Sequence, residues 1–289
     1  MISELAQYYR LTKPGVLYGN VLTAAAGFFL ATADGAINWQ LFLSMLVGMT
    51  LVIAGACAMN NYFDRDIDSK MSRTKTRPSV TGAVEPINIL LFSICLAVIG
   101  MLVLITTTNW LTVAIGGAGF VTYVWLYGIW SKRSSIHGTA VGSISGAMPI
   151  AGGYAAVSGQ IDTGLVIVFL ILFFWQFPEF YSIAIYRKKE YGSAHVPVMP
   201  VVKGVTSTIR QIVVYTILYV IATLALTAFG YTGWVYFGVM ALVGVYWIYL
   251  AFQGLGTKTP DAWARRMFKF SMITILVLCV MLSIGARLP

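Results

Sequence analysis

Charge is what this sequence has least of. Only 10% of its 289 residues are Asp, Glu, Lys or Arg and 58% are hydrophobic. A soluble domain carries roughly a quarter charged residues, so a water-soluble fold is excluded. Histidine is nearly missing, at two residues, His137 and His195. Neither falls in a Ser-His-Asp or Cys-His grouping, which argues against a covalent enzyme intermediate. The three cysteines, Cys57, Cys95 and Cys279, stand singly inside apolar runs. With no C-x-x-C and no C-x-x-C-H spacing they offer neither a metal site nor covalent haem attachment, and they read as small core residues. The segment Met1 to Lys13 lacks the apolar stretch and small-residue cleavage site of a secretory signal, and it is not an Arg-rich, acid-poor import presequence. A bacterial inner membrane is the simplest address.

What is present is apolar sequence in blocks about as long as a bilayer is thick. Nine such windows fall at 14–33, 40–60, 87–106, 110–130, 138–158, 162–185, 211–229, 233–253 and 268–286. They predict an all-α integral membrane protein, read over 1–289 as a single transmembrane domain. The net charge of +9 comes from 19 Lys and Arg scattered in short clusters between these blocks. That is a topology signal and not a nucleic-acid groove. With the N-terminus cytoplasmic and nine crossings, 18 of the 19 fall inside, and only Arg287 falls outside with the C-terminus. Two inner connections are long, 61–86 and 186–210, and they follow the second and sixth spans, an offset that hints at a duplicated bundle.

The second span ends in a polar pattern. Asn60, Asp64 and Asp68 recur every four residues. At about 100° per residue each step drifts by only about 40°, so the three share one helical stripe while Asp66 points away. Hard divalent cations take oxygen ligands, and Mg²⁺ uses one or two carboxylates plus water and phosphate. The stripe is therefore a candidate clamp for a metal-bound diphosphate. A solvated acidic patch is the competing reading, but three acids within five residues is a large share of a chain with ten. Lys70, Arg73, Lys75 and Arg77 follow at once and supply cations for phosphate oxygens.

Elsewhere, Gly138, Gly142 and Gly146 at four-residue spacing predict a close helix approach. In the sixth span Pro178 predicts a kink, beside Trp175, Gln176 and Glu179. A carboxylate at that depth calls for a partner or a cavity.

These residues carry a resemblance. Asn60-x3-Asp64-x3-Asp68, followed by Met71-x-Arg73-Thr74-x2-Arg77-Pro78, is similar to the first aspartate motif of the UbiA-type intramembrane prenyltransferases, in the version found in their protohaem IX farnesyltransferase (haem O synthase) branch. Leu11-Thr12-Lys13-Pro14 resembles the family's opening segment. Tyr127-x4-Lys132-Arg133, with Gly138-Thr139 and Gly142-Ser143-x2-Gly146-Ala147-x-Pro149, resembles its central signature. Trp175-Gln176-x-Pro178, Arg187-x2-Glu190-Tyr191 and Pro197 to Gly204 resemble its second polar loop. The chain departs from the family at Glu179, where His is usual, and at Glu190, where Asp is usual.

The resemblance implies a transferase that moves a farnesyl group from farnesyl diphosphate to a vinyl group of haem b with Mg²⁺ as cofactor. It implies Asn60, Asp64, Asp68 and Glu190 as metal ligands. Lys70, Arg73, Lys75, Arg77, Lys132, Arg133 and Arg187 would lie around the diphosphate. Tyr123, Tyr127, Trp175, Phe177, Glu179 and His195 would line the prenyl and haem pocket, with ring faces stabilising an allylic cation. Its partners would be the two substrates, the lipid bilayer and terminal-oxidase assembly factors, with no nucleic acid. His137 and His195 are each weighed as a transient haem ligand against a surface role. Two other readings compete. An aromatic quinone precursor would be the acceptor in a sister prenyltransferase, and a transporter would place its polar site near the bilayer midplane.

Overall fold

The computed structural model describes residues 4–32, 35–285 and 288, so Arg287 lies outside the described residues. A segment in hydrocarbon must satisfy every backbone polar group within itself, which leaves the helix as the solution for these blocks. Among the described residues, nine helices are long and apolar enough to cross a membrane. The chain is a multi-pass membrane protein.

In chain order the elements are α1 (Glu4–Leu11), α2 (Pro14–Ala31), α3 (Trp39–Phe63), α4 (Arg65–Asp68), α5 (Pro78–Thr81) and α6 (Pro86–Thr107). The fourth span begins as α7 (Trp110–Val121), winds as a π-helix over Thr122–Ser131 and closes as α8 (Lys132–Ser134). Then come α9 (Gly138–Ser158), α10 (Thr163–Tyr186), α11 (Lys188–Ser193), α12 (Met199–Val202), α13 (Val205–Ala228), α14 (Trp234–Phe252) and α15 (Pro260–Ile284).

The expected spans recur in order, with two shifts. Val205–Ala228 and Pro260–Ile284 start well before the apolar windows at 211 and 268, because Arg210, Arg265 and Arg266 in their second turns interrupt hydrophobicity without interrupting the helix. Helix starts differ at the two ends of the bundle. At the end rich in Lys and Arg, spans one, three and nine open on Pro14, Pro86 and Pro260, whose missing N–H costs nothing in a first turn. At the opposite end spans two, four and six open on Asn38, Asn109 and Asp162, which accept from the Leu41, Thr112 and Leu165 amides at 3.0, 3.0 and 2.8 Å.

Small residues let the helices meet. At the crossing of α2 and α9, a Cβ on Gly27 would stand 2.1 Å from the Ile150 carbonyl oxygen and one on Gly153 1.9 Å from that of Ala24. Backbone contact of this kind draws α2 in against α9, while α10 packs against α9, α13 and α15. The helix α10 runs through Pro178 without interruption. At the basic end the two long connections fold onto each other. Ile67 and Met71 from the first pack with Ala194 and Val196 from the second, flanked by Tyr191 and Val198.

Candidate active site

Helical hydrogen bonding continues past the end of α3. The Asp64 amide donates to the Asn60 carbonyl at 2.9 Å, and the Asp68 amide to that of Asp64 at 2.8 Å. The three predicted side chains therefore stay on one stripe and turn inward, at 2%, 0% and 3% exposure for Asn60, Asp64 and Asp68. Buried carboxylates need cations, and each side chain of the stripe holds one. Lys132 Nζ donates to Asp64 Oδ2 at 2.5 Å, Arg77 Nη1 to Asp68 Oδ2 at 2.5 Å, and Lys13 Nζ to Asn60 Oδ1. Thr74, itself buried, donates from Oγ1 to the Asp68 carbonyl and folds the following loop back so that Arg77 reaches its partner.

Lys13 is the residue that sequence reasoning missed as a site group. It lies between α1 and α2 with a left-handed backbone, φ 52°, which costs an L-residue roughly 1–2 kcal/mol. Asn61, buried beside Asn60, offsets that cost by donating from Nδ2 to the Leu11 carbonyl at 2.7 Å. Burial, then the nearby Arg77 charge, push the Lys13 ammonium down to about 8. Such a cation is poised for an incoming anion. The only advance signal was the Lys-Pro pair opening the first span.

Two tyrosines form the floor. The π-helix winds more loosely than an α-helix, and within it the Tyr123 and Tyr127 rings stack with centroids 5.8 Å apart and planes 29° apart. Lys13 Nζ lies 5.9 Å from the Tyr123 centroid and Lys132 Nζ 6.0 Å from that of Tyr127. Gly142 makes room for this layer, since a Cβ there would stand 3.1 Å from the Tyr127 ring. One turn on, Gly146 accommodates the Gln176 side chain. The small-residue run thus receives side chains from two different spans.

The second loop supplies the roof. Arg73, Lys132 and Arg187 all act electrostatically on the Tyr191 phenol, whose pKa burial raises. Arg73 is exposed and makes no ion pair among the described residues, and Arg187 donates to Glu190 Oε1 at 2.8 Å.

Several expected members stand elsewhere. Arg133 makes a bidentate pair with Asp66, at 2.7 and 2.8 Å, and donates to the Phe63 carbonyl at 2.7 Å. That pairing holds the Asp66 carboxyl down at about 2. Arg133 therefore fastens the end of α3 through Asp66, while its Nη2 also stands 3.9 Å from Asp64 Oδ1. Among the described residues no three His, Cys, Asp or Glu side chains gather as a metal-holding group, so Glu190 does not join Asp64 and Asp68. Phe177 is sealed in the core, stacked on Tyr215 at 3.7 Å, because it points roughly 200° round the helix from Trp175. Trp175 is tied to α15 through Ser271 and Thr274. Lys70, Lys75, His137 and His195 are exposed, the last on a left-handed turn at φ 57°.

Against known proteins, the family model described as the UbiA prenyltransferase family matches residues 20–273. The chain belongs to the UbiA prenyltransferase family. A relative named protoheme IX farnesyltransferase, from Yersinia pseudotuberculosis serotype O:1b, is 45% identical over 97% of this chain and 95% of its own. Among solved structures, one described by digeranylgeranylglyceryl phosphate synthase matches with a TM-score of 0.81 at 18% identity over 98% of both chains. A UbiA homologue from Archaeoglobus fulgidus bound to DMAPP and Mg²⁺ matches at 0.70 and 15% identity, over 96% of this chain and 99% of that one. These two show a shared fold. This UbiA-family chain is thus a membrane prenyltransferase, and the transporter reading falls away.

Proposed function

We propose that this chain transfers the farnesyl group of farnesyl diphosphate to a vinyl group of haem b, giving haem o and diphosphate. The observation that carries the reading is the buried stripe of Asn60, Asp64 and Asp68 with Lys13, Lys132 and Arg77 gathered on it. The near-full-length likeness to a protein named for this reaction supports the choice of substrates.

The donor set fits Mg²⁺. Asp64 Oδ1 is buried with no hydrogen-bond partner among the described residues, the Arg133 guanidinium standing 3.9 Å off, and Asp68 presents a second carboxylate one turn away. Bound by Asp64 and Asp68, with Asn60 beside them, the ion would supply Lewis-acid neutralisation of the diphosphate. Glu190, engaged with Arg187, would belong to the roof instead.

The hard step is breaking the allylic C–O bond. Its electron pair leaves on the diphosphate, and Lys13, Lys132, Arg77, Arg73 and Arg187 are placed to take up the growing negative charge. The Tyr123 and Tyr127 rings offer π faces to the allylic cation and no nucleophile of comparable strength to a vinyl group. The vinyl π pair then forms the new C–C bond, and water completes the addition. The basic end would face the cytoplasm of a bacterial cell, with the protein in its inner membrane and product passing to terminal-oxidase assembly factors.

Purified protein supplied with haem b, farnesyl diphosphate and Mg²⁺ is expected to yield haem o by mass, and chelation is expected to stop turnover. A prenylated quinone precursor formed in place of haem o would move the acceptor to the aromatic alternative.

A further inference from the structure

The steps above leave one membrane-embedded carboxylate unused. Glu179 lies one residue past Pro178 and two turns from the basic end of α10 at Tyr186. Among the described residues it has no hydrogen bond, no ion pair and no charged neighbour acting on it. A carboxylate in a span is expensive unless it lines a cavity.

Its flanks show where it faces. Trp175 Nε1 ties one side of α10 to α15, 3.1 Å from both Ser271 O and Thr274 Oγ1. Gln176 Nε2 ties the other side to α9, 3.2 Å from Ser143 O. At about 100° per residue Glu179 falls between those two directions and away from Val166 and Phe180, which mark the lipid face. Along this inward stripe Val168 and Leu172 are sealed, whereas Glu179, Ile183 and Tyr186 keep partial exposure. The stripe therefore opens toward the basic end, as the wall of an internal vestibule does.

Depth follows from register. The helices α9 and α10 run antiparallel, and Gln176 sits against Gly146. One turn toward the basic end takes Gln176 to the level of Glu179 and Gly146 to Gly142, where the Tyr127 ring packs. Glu179 and Tyr127 thus share one level, deeper in the bundle than Lys132 at the end of the fourth span.

The geometry points to Glu179 as the general base for the water that completes the addition, an assignment that rests on the transfer proposed above. Once the vinyl π pair has formed the C–C bond, the carbon next to the porphyrin ring is electron-deficient. A water lone pair bonds to it, the O–H pair stays on oxygen, and the proton goes to the Glu179 carboxylate and then to solvent through the vestibule. Asp64 and Asp68 are engaged by cations and both histidines are exposed, so Glu179 is the free acceptor on this wall. Without it, the same cation loses a proton from the adjacent CH₂ and gives an alkene lighter than haem o by one water.

The test is Glu179→Gln and Glu179→Asp in full-length protein with haem b, farnesyl diphosphate and Mg²⁺. The Gln variant, nearly isosteric and uncharged, is expected to lose roughly a hundredfold in the rate of haem o formation, the usual share of a general base, because water capture falls behind proton loss. Its KM for farnesyl diphosphate should stay unchanged, with the dehydrated product appearing. The Asp variant should keep haem o as the main product. Wild-type kcat with haem o alone in the Gln variant overturns the assignment, as does a loss in both variants with no dehydrated product. Failure of the wild-type protein to make haem o would instead sink the transfer reading itself.

Discussion

The Lys132 ammonium stands 2.5 Å from Asp64 Oδ2, while Asp64 Oδ1, equally buried, has no hydrogen-bond partner. One oxygen holds the Lys132 ammonium, and the other has the Arg133 guanidinium at 3.9 Å but no hydrogen bond, which leaves its lone pairs for a ligand. Removing either charge alone strands the other in a low-dielectric site, which costs about 3 kcal/mol or more. Lys132→Met is therefore expected to lower the thermal unfolding midpoint in detergent and to abolish turnover. Lys132→Met with Asp64→Asn should recover most of the midpoint and none of the activity. A double variant as unstable as the single one would remove the buried-charge account.

Asp66 makes the contrasting case. It lies two residues from Asp64 and has a better-shaped ion pair, bidentate with Arg133, but its side chain is 62% exposed. Solvent screening leaves such a pair with well under about 1 kcal/mol. Asp66→Asn should keep turnover within about twofold, whereas Asp64→Ala and Asp68→Ala should each abolish it with membrane insertion intact. Loss of turnover in Asp66→Asn equal to that in Asp68→Ala would mean that the outward side also takes part.

Lys13 depends on Asn61, 48 residues along the chain. Asn61→Ala removes the 2.7 Å bond to the Leu11 carbonyl and leaves that acceptor unsatisfied, at about 1–3 kcal/mol. The left-handed turn at Lys13 then loses its support, and the ammonium drifts from Asn60. The expected result is a KM for farnesyl diphosphate raised about tenfold with a smaller change in kcat. An unchanged KM would show that Lys13 does not meet the diphosphate.

How much of this was legible follows from range. Asn60, Asp64 and Asp68 were readable because their spacing is local and helical, and the span count because hydropathy is local too. Lys13 was not, since its role depends on a backbone φ of 52° and a partner 47 residues away. Arg133 and Lys132 are adjacent cations, and only the fold shows that one turns inward to Asp64 and the other outward to Asp66. The π-helix at Thr122–Ser131 left no mark on hydropathy, yet it sets the tyrosine stack. Phe177 lies within a polar cluster in sequence, yet at about 200° from Trp175 its ring faces the core and stacks on Tyr215.

Gly146 tests whether small residues here serve helix contact or side-chain placement. A Cβ at Gly146 would stand 2.1 Å from Gln176 Oε1. Gln176 cannot simply swing away, because Nε2 is held by the Ser143 and Leu172 carbonyls at 3.2 and 3.0 Å. Gly146→Ala is thus expected to destabilise by about 1–3 kcal/mol, as overpacking does. If the clash is with that side chain, Gln176→Ala should absorb much of it, and the double variant should lie well short of the sum of the singles. Gly153→Ala is the control: its Cβ meets the Ala24 backbone carbonyl at 1.9 Å, and no truncation on a facing helix can relieve that. Unfolding midpoints of the four variants against wild type decide the matter, and strict additivity at Gly146 and Gln176 would place the constraint in the helix backbones instead.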